Sequence, residues 1–541
     1  MFVNFRDIPG HHNLFLDYLY QFEKVSKFYK RNPFDKDGYA KVFSQISSNR
    51  HVSREQLFSV IKTQYTGKSY SSKTLKNIEL LGKENTLAIV TGQQLGILGG
   101  PLYTFYKIIT AIKLANHLNE RFDSFNFVPV FWLEGDDHDF NEVRSINIIN
   151  NSNELSKISY GEETLEDQVG QSVGLLNFDE KINLFLNELE QQLRPTEFKQ
   201  DLLSKIKEIY TSERSVKESF RDLIELFFDT YGLITFDPQD QAIKDLLKPL
   251  FKKELLEYRN RSEESIKVSA ELDEVYHAQV KVKPINLFIN YENGRHALEP
   301  DEEGFKLKRK RKRFSKDEIL TFLENEPHNF SPNVLFRPIC QDYILPTAFY
   351  IGGPSEIAYF AQVMPLYDFF NIPAPFIYPR SSATILEKGL SNALDKFNLQ
   401  INEIFSEPEV VKQRIIKSME ETPLEDFFVS AVKETEIIFD SLKEKLFSID
   451  KTTSDSVQRY REKSLNNLDE LKVKSLQAQK KKYEVSLKQI DKLTSILFPN
   501  ENLQERELNF IYFFNKYGPE FIKKIFEELQ INKFEHQIID I

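Results

Sequence analysis

Cysteine is nearly missing from this sequence: among 541 residues there is one, Cys340. A lone thiol makes no internal disulfide, no redox pair and no multi-thiolate metal site, so no structural zinc is expected and a reducing cytoplasm is the expected setting. Long apolar runs are missing too. No window approaches the roughly 20 apolar residues of a membrane span, and the opening MFVNFRDIPGHHNLF lacks a basic segment followed by an apolar stretch. The expectation is a soluble, untargeted chain with no membrane partner. There is no excess of basic residues either, since 71 Lys and Arg face 82 Asp and Glu for a formal net charge of −11. Such a molecule does not attract a nucleic-acid backbone, and no nucleic-acid partner is expected. The GxGxxG fingerprint, the P-loop, the G-x-S-x-G elbow and HExxH are all absent. Dehydrogenase, P-loop kinase, serine hydrolase and zincin readings therefore lack their residues.

What is present is aromatic and apolar. With 46 Phe, 23 Tyr and 40% hydrophobic residues, the chain buries enough surface to offset its ordering entropy, and its length suggests two to four units at roughly 150 residues each. The segment TLAIVTGQQLGILGGPLYTFYKIITAIKLANHL reads as a strand at 86–91, a Gly-punctuated turn and a helix over about 102–118; FNFVPVFWLEGDDHDF adds a strand at 127–133. The same alternation returns at 232–236 and at 347–379, where strand, Gly-Gly-Pro turn, helix and strand follow one another. The fold class predicted is α/β, a Rossmann-like doubly wound parallel sheet interrupted by two insertions and followed by a helical coiled coil.

The domain reading places N-terminal helices and the first part of the core in 1–150, and a mostly helical first insertion in 151–230. A core segment takes 231–254, a second insertion with a helix and an antiparallel meander takes 255–330, and the rest of the core takes 331–385. A C-terminal helical domain spans 386–541. Within it, apolar residues from Leu424 to Ile449 recur at spacings of three and four, and a second long helix follows, predicting an antiparallel coiled coil at about 424–495. The basic run Lys306–Arg313 in the meander reads as a charged edge strand or a polyanion contact.

Four places carry candidate chemistry. The loop Thr91–Pro101, between a strand and the helix it feeds, is either a tight turn or an anion cradle built on Gln93, Gln94, Gly99 and Gly100, with Tyr103 and Lys107 behind it. Glu134-Gly135-Asp136-Asp137-His138-Asp139 closes the second strand. Carboxylates around one imidazole tune each other's pKa, act as a base, recognise an amine, bind a divalent cation, or simply cap the next segment. The third place pairs Arg337–Tyr343 with Ile351–Glu356, separated by one apolar strand. Cys340 there reads as a small buried hydrophobe rather than a nucleophile. The fourth, Pro379-Arg380-Ser381-Ser382-Ala383-Thr384, offers anion binding or a helix cap.

The blocks TGQQLGILGGPLYTFYK, PVFWLEGDDHDFNEV, RPICQDYILPTAFYIGGPSEIAYFAQ, PRSSAT and LQERELNFIYFFNKYGPEFI resemble the bacillithiol biosynthesis cysteine-adding enzyme family across essentially the whole chain. The resemblance implies a core related to nucleotidylyl transferases and class I aminoacyl-tRNA synthetases, two connecting insertions, and a coiled coil that forms a homodimer. It implies a ligase that adds cysteine to the amine of glucosaminyl malate, through cysteine adenylated by ATP. ATP or ADP, with or without Mg2+, is the expected ligand. The paired histidines and the lysine loop of the synthetase-like relatives are replaced here by GGPLYTFYK and PRSSAT. On this reading His138, Asp136, Asp137 and Asp139 are catalytic, and Trp132, Gln341, Asp342, Tyr343, Gly353 and Glu356 bind substrate. Gln93, Gln94, Gly99, Gly100, Tyr103, Lys107, Arg380 and Ser381 meet the nucleotide or another anion. Tyr517 and Gly518 belong, by the resemblance alone, to a second nucleotide pocket, and no residue is assigned to a metal. The competing reading is a nucleotide-binding dimeric scaffold with a degenerate site.

Overall fold

Strand Thr86–Gln94 is apolar or small at nearly every position, the composition of a strand covered on both faces. In the computed structural model, which describes all residues except 163–169, 407 and 421–423, it lies at the centre of a five-stranded sheet. The order is Phe376–Pro379, Thr347–Gly352, Thr86–Gln94, Asn126–Glu134, Ile234–Phe236, and every pairing is parallel. The expected βαβ unit is present, with helix Tyr103–Arg121 joining the two longest strands. Their register sets Gln94 beside Glu134 at the carboxyl edge, where ligands of open α/β sheets bind. One face of the sheet packs on the N-terminal helix Tyr39–Ser48, through Phe43 against Leu87, Phe127 and Phe349.

The contacts divide the chain into two units, Met1–Ile385 with Asn502–Ile541, and Leu386–Glu501. The C-terminal domain read from sequence as 386–541 therefore gives up its last segment. Strand His536–Asp540 pairs with Phe2–Val3 and lies beside Ser382–Leu386 in a three-stranded sheet. The other sequence boundaries shift as well. The first insertion opens earlier than 151, because strand Ser145–Ile149 pairs antiparallel with Leu155–Ser159, and three helices between Lys181 and Phe228 follow. The boundary at 254/255 falls inside one helix, Gln241–Asp273. A buried ion pair holds it there: Arg261 bonds Glu254 and also donates to the Pro284 carbonyl at 2.6 Å.

The meander is a five-stranded antiparallel sheet in the order Arg313–Ser315, Gly304–Leu307, Gly294–Asp301, Leu287–Tyr291, Phe330–Pro332. Glu292 and Asn293 both take positive φ, 46° and 58°, the geometry of a tight hairpin turn whose twist matches its strands. The basic run ends in the edge strand Arg313–Ser315, where Lys310 pairs with Glu292 and Arg313 with Asp301.

In the second unit, helices Leu424–Phe447 and Lys451–Leu497 lie against each other as a hairpin. Asp450 caps the second helix by accepting from the Thr452 and Thr453 N–H groups. No helix of the described residues is long and apolar enough to cross a membrane.

Candidate active site

A cavity of about 520 Å³ opens at the carboxyl edge of the parallel sheet, roofed by the antiparallel sheet. Eight lysines and arginines line it against four carboxylates, in a chain whose net charge is −11. Arg295, from strand Gly294–Asp301, is 6% exposed. It donates to Ser331 Oγ at 2.9 Å and the Pro332 carbonyl at 2.6 Å, and its Nη1 stands 3.4 Å from His138 Nδ1. Among the described residues no carboxylate forms an ion pair with it; the charges of Asp136, Asp137 and Glu134 favour its charged form, but burial outweighs them and lowers its pKa.

The floor is a continuous polar network. Lys107, on the second turn of helix Tyr103–Arg121, donates to the Gly92 carbonyl at 2.9 Å, Gln93 Oε1 at 3.0 Å and Glu356 Oε2 at 2.5 Å. Burial pulls its pKa down despite the partner. Burial pushes Glu356 the other way, but Lys107, the Gly353 N–H at 2.8 Å and Tyr350 Oη at 2.6 Å together hold it below the usual carboxylate value. Arg337 extends the network to Tyr350, Tyr359 and Gln341, each at 3.1 Å, and its Nε lies 3.6 Å from Glu134.

Glu134 stands at the strand end. Burial pushes its carboxyl up to about 7, against the pull of Arg337. Its Oε2 accepts from Trp132 Nε1 at 3.2 Å, and among the described residues its Oε1 has no hydrogen-bond partner. Asp137 is the opposite case. Burial raises it, yet hydrogen bonds from His138 and Gln94 and the charge of Arg295 outweigh burial and leave it well below the ordinary value. Asp137 in turn holds His138, whose Nδ1 lies 3.5 Å from its Oδ1. Arg380 closes the far side, paired at 2.7 Å with the fully buried Glu505 and set over the Tyr103 ring at 5.2 Å.

Of the residues singled out from sequence, Gln93, Gln94, Tyr103, Lys107, Asp137, His138, Gly353, Glu356 and Arg380 do line this one cavity. Others are placed elsewhere. Asp136 turns inward to a buried ion pair with Lys244 at 3.1 Å and a bond from Gln239 at 2.9 Å. Asp139 caps the short helix Phe140–Val143. Trp132 is buried and stacks on Phe236, while its indole N–H orients Glu134. Gln341 and Asp342 sit behind Arg337 and brace it; burial pushes Asp342 up to about 6. Tyr343 stacks on His51. Ser381 is spent on Thr110 Oγ1 and the Gln530 carbonyl. Gly518 ends helix Phe510–Tyr517 with φ of 68°, and a Cβ there would meet the Phe198 ring at 2.5 Å. That packing explains the glycine, and neither it nor Tyr517 lines this cavity.

The Gly-rich loop is not an amide cradle. Leu98, Gly99 and Gly100 all have positive φ, and their N–H groups donate inside the fold to Tyr210 Oη, the Gly96 carbonyl and the Ile97 carbonyl. Asn509 Nδ2 takes the Leu98 and Gly100 carbonyls at 2.8 and 2.6 Å. Gly99 is buried against Leu223 and Phe105; Gly100 borders a second cavity of about 340 Å³ that shares Gln93, Gln94, Tyr103 and Arg506 with the first. Charge for an anion therefore comes from side chains. Sequence reasoning missed Arg295, which no local motif marks, and Arg506; it also left Glu134 and Arg337 unassigned inside motifs it had noticed.

The fold and this cavity define a Rossmann-like α/β protein with a cationic ligand site at the carboxyl ends of its strands and a separate helical hairpin. A family model described as the bacillithiol biosynthesis BshC N-terminal Rossmann-like domain matches residues 1–381, and one described as the BshC C-terminal coiled-coil domain matches 383–541. The chain belongs to the BshC family. Proteins named "Putative cysteine ligase BshC" are similar over nearly their whole length. That of Chloroherpeton thalassium is 35% identical over 97% of this chain and 96% of its own, and that of Salinibacter ruber is 31% identical over 98% and 96%. That of Flavobacterium johnsoniae is 31% identical over 98% and 97%.

Proposed function

We propose that this chain is a cysteine ligase of bacillithiol biosynthesis, joining the carboxyl of cysteine to the amine of glucosaminyl malate. The observation that carries this reading is the cationic cavity with its buried Arg295, which no described carboxylate ion-pairs, and which suits an acceptor bearing two malate carboxylates. Family membership supplies the reaction class.

A carboxylate is a poor electrophile, so the cysteine carboxyl needs activation: its oxygen attacks the α-phosphorus of ATP, the new O–P bond forms as the bond to pyrophosphate breaks, and an acyl-adenylate results. The side chain suited to the phosphates is Arg380, because the loop amides are already bonded. The acceptor nitrogen then attacks the activated carbonyl, the C–N bond forms as the C–O bond to AMP breaks, and the nitrogen loses a proton. Glu134 is the group to take that proton. Its carboxyl titrates near neutrality, and among the described residues its Oε1 has no hydrogen-bond partner; a base of that strength is matched to proton transfer near neutral pH. His138, held by Asp137 and facing Arg295, orients the acceptor. Arg337 and Lys107 are held rigidly and present fixed positive charge where negative charge develops.

The hairpin leaves Ile437, Ile438, Leu442 and Phe447 exposed, an apolar stripe that a second copy would bury. We assign it the homodimer contact. Calorimetry tests the acceptor reading: glucosaminyl malate binds the wild type, and Arg295→Met weakens it more than tenfold, the loss of one charge-assisted contact being on the order of 1.5–3 kcal/mol. Unchanged affinity would remove the cavity from acceptor recognition.

A further inference from the structure

The second cavity differs in charge from the first. Its ionised side chains are Arg506 at the end it shares with the large cavity, and Glu142 and Glu507. The Arg506 guanidinium makes no hydrogen bond or ion pair with any described residue, while its main-chain N–H donates to the Leu503 carbonyl at 2.9 Å. Glu142 accepts from Gln94 Nε2 at 3.1 Å. Glu507 accepts from the neutral amides of Asn147 at 3.2 Å and Asn502 at 3.1 Å. One guanidinium at the mouth and two carboxylates make the complement of a zwitterion: a carboxylate seeks the first and an ammonium the second. At about 340 Å³ the space admits a small amino acid.

We infer that this cavity is the subsite for the α-amino acid, with the ammonium at Glu142 and Glu507 and the carboxyl at Arg506. The inference rests on the ligase reading, and it explains why the two cavities share a wall. The dianionic acceptor fits the cationic cavity, the amino acid fits the zwitterionic one, and the carboxyl at Arg506 meets the acceptor amine along Gln93, Gln94 and Tyr103, which border both.

The test is calorimetry on the full chain with a non-hydrolysable ATP analogue present, titrating L-cysteine, cysteamine, which lacks the carboxyl, and 3-mercaptopropionate, which lacks the ammonium. L-Cysteine is expected to bind at least tenfold more tightly than either truncated probe. Glu142→Gln and Glu507→Gln, which change residues outside the large cavity, are each expected to weaken L-cysteine at least fivefold while glucosaminyl malate affinity stays within twofold. Cysteine that does not bind, 3-mercaptopropionate that binds equally well, or variants that leave cysteine affinity unchanged would each overturn the subsite. Turnover separates the two claims: amide formation with a cysteine KM indifferent to both variants overturns the subsite alone, whereas variant-sensitive cysteine binding without amide formation overturns the ligase reading.

Discussion

Glu134 and Asp137, three residues apart, are both carboxylates of the cavity, and their surroundings push them in opposite directions. Such separation assigns roles: the raised group exchanges a proton and the lowered group stays charged. The predicted profile of kcat/KM has an acidic limb near pH 7, and Glu134→Gln lowers the rate by about 10²–10⁴-fold and removes that limb. A limb that survives in Glu134→Gln but vanishes in His138→Ala would move the base to His138. The shift has a stability counterpart. Because the folded state holds the Glu134 proton more tightly than the unfolded chain, the stability it contributes is full below about pH 4.3 and is lost as pH rises through about 7. Thermal melts of Glu134→Gln against pH should show a flatter slope in that window. Cys340 is fully buried, and burial pushes its thiol well above its ordinary pKa. Cys340→Ala is accordingly expected to keep turnover within about twofold, since a buried, protonated thiol is no nucleophile; a loss of activity in a folded variant would contradict this.

At the scale of elements, the sequence carried the parallel core well because fully buried strands and amphipathic helices write themselves in composition. TLAIVTGQQ and NFVPVFWLE have almost no other way to fold. It carried the insertions poorly. Gln241–Asp273 runs through an expected boundary because its continuity depends on the buried Glu254–Arg261 pair, a contact with the distant Pro284 and Asn286 backbone that no local window shows. Site residues divide the same way. Those at strand ends were legible by position, but which of Asp136 and Asp137 faces the cavity is decided by Lys244, 108 positions away. Asp136→Ala leaves that lysine buried and unpaired, at a cost of about 3–5 kcal/mol in urea unfolding, whereas Asp136→Leu combined with Lys244→Met recovers most of it. Equal losses in both would show that the pair does not act as an ion pair.

At the scale of the whole molecule, the residues before and after the hairpin return to one place. Arg380, Ser382 and Ala383 bond Glu505, and Ile385 bonds Gln504, so the short segment Gln504–Glu507 braces the Arg380 side of the cavity while Asn509 braces the Gly-rich loop. This is why Asn502–Ile541 belongs with the core, although its sequence reads as a continuation of the helical domain. The exposed apolar stripe of the hairpin is the proposed contact with a second copy. Light scattering is expected to give twice the chain mass for the wild type, and Ile438→Glu is expected to shift it toward the single chain without loss of helicity; a wild type that stays at one chain mass would remove the dimer.

The central claim is that this cavity makes an amide between cysteine and glucosaminyl malate at the expense of ATP. The direct measurement is mass spectrometry of the purified chain incubated with all three compounds, beside a sample without ATP. Bacillithiol and AMP formed together, only with ATP and at far lower yield in Arg295→Met and Glu134→Gln, is the result predicted. Binding of the compounds with no amide in either sample would contradict the ligase and favour a nucleotide-binding scaffold.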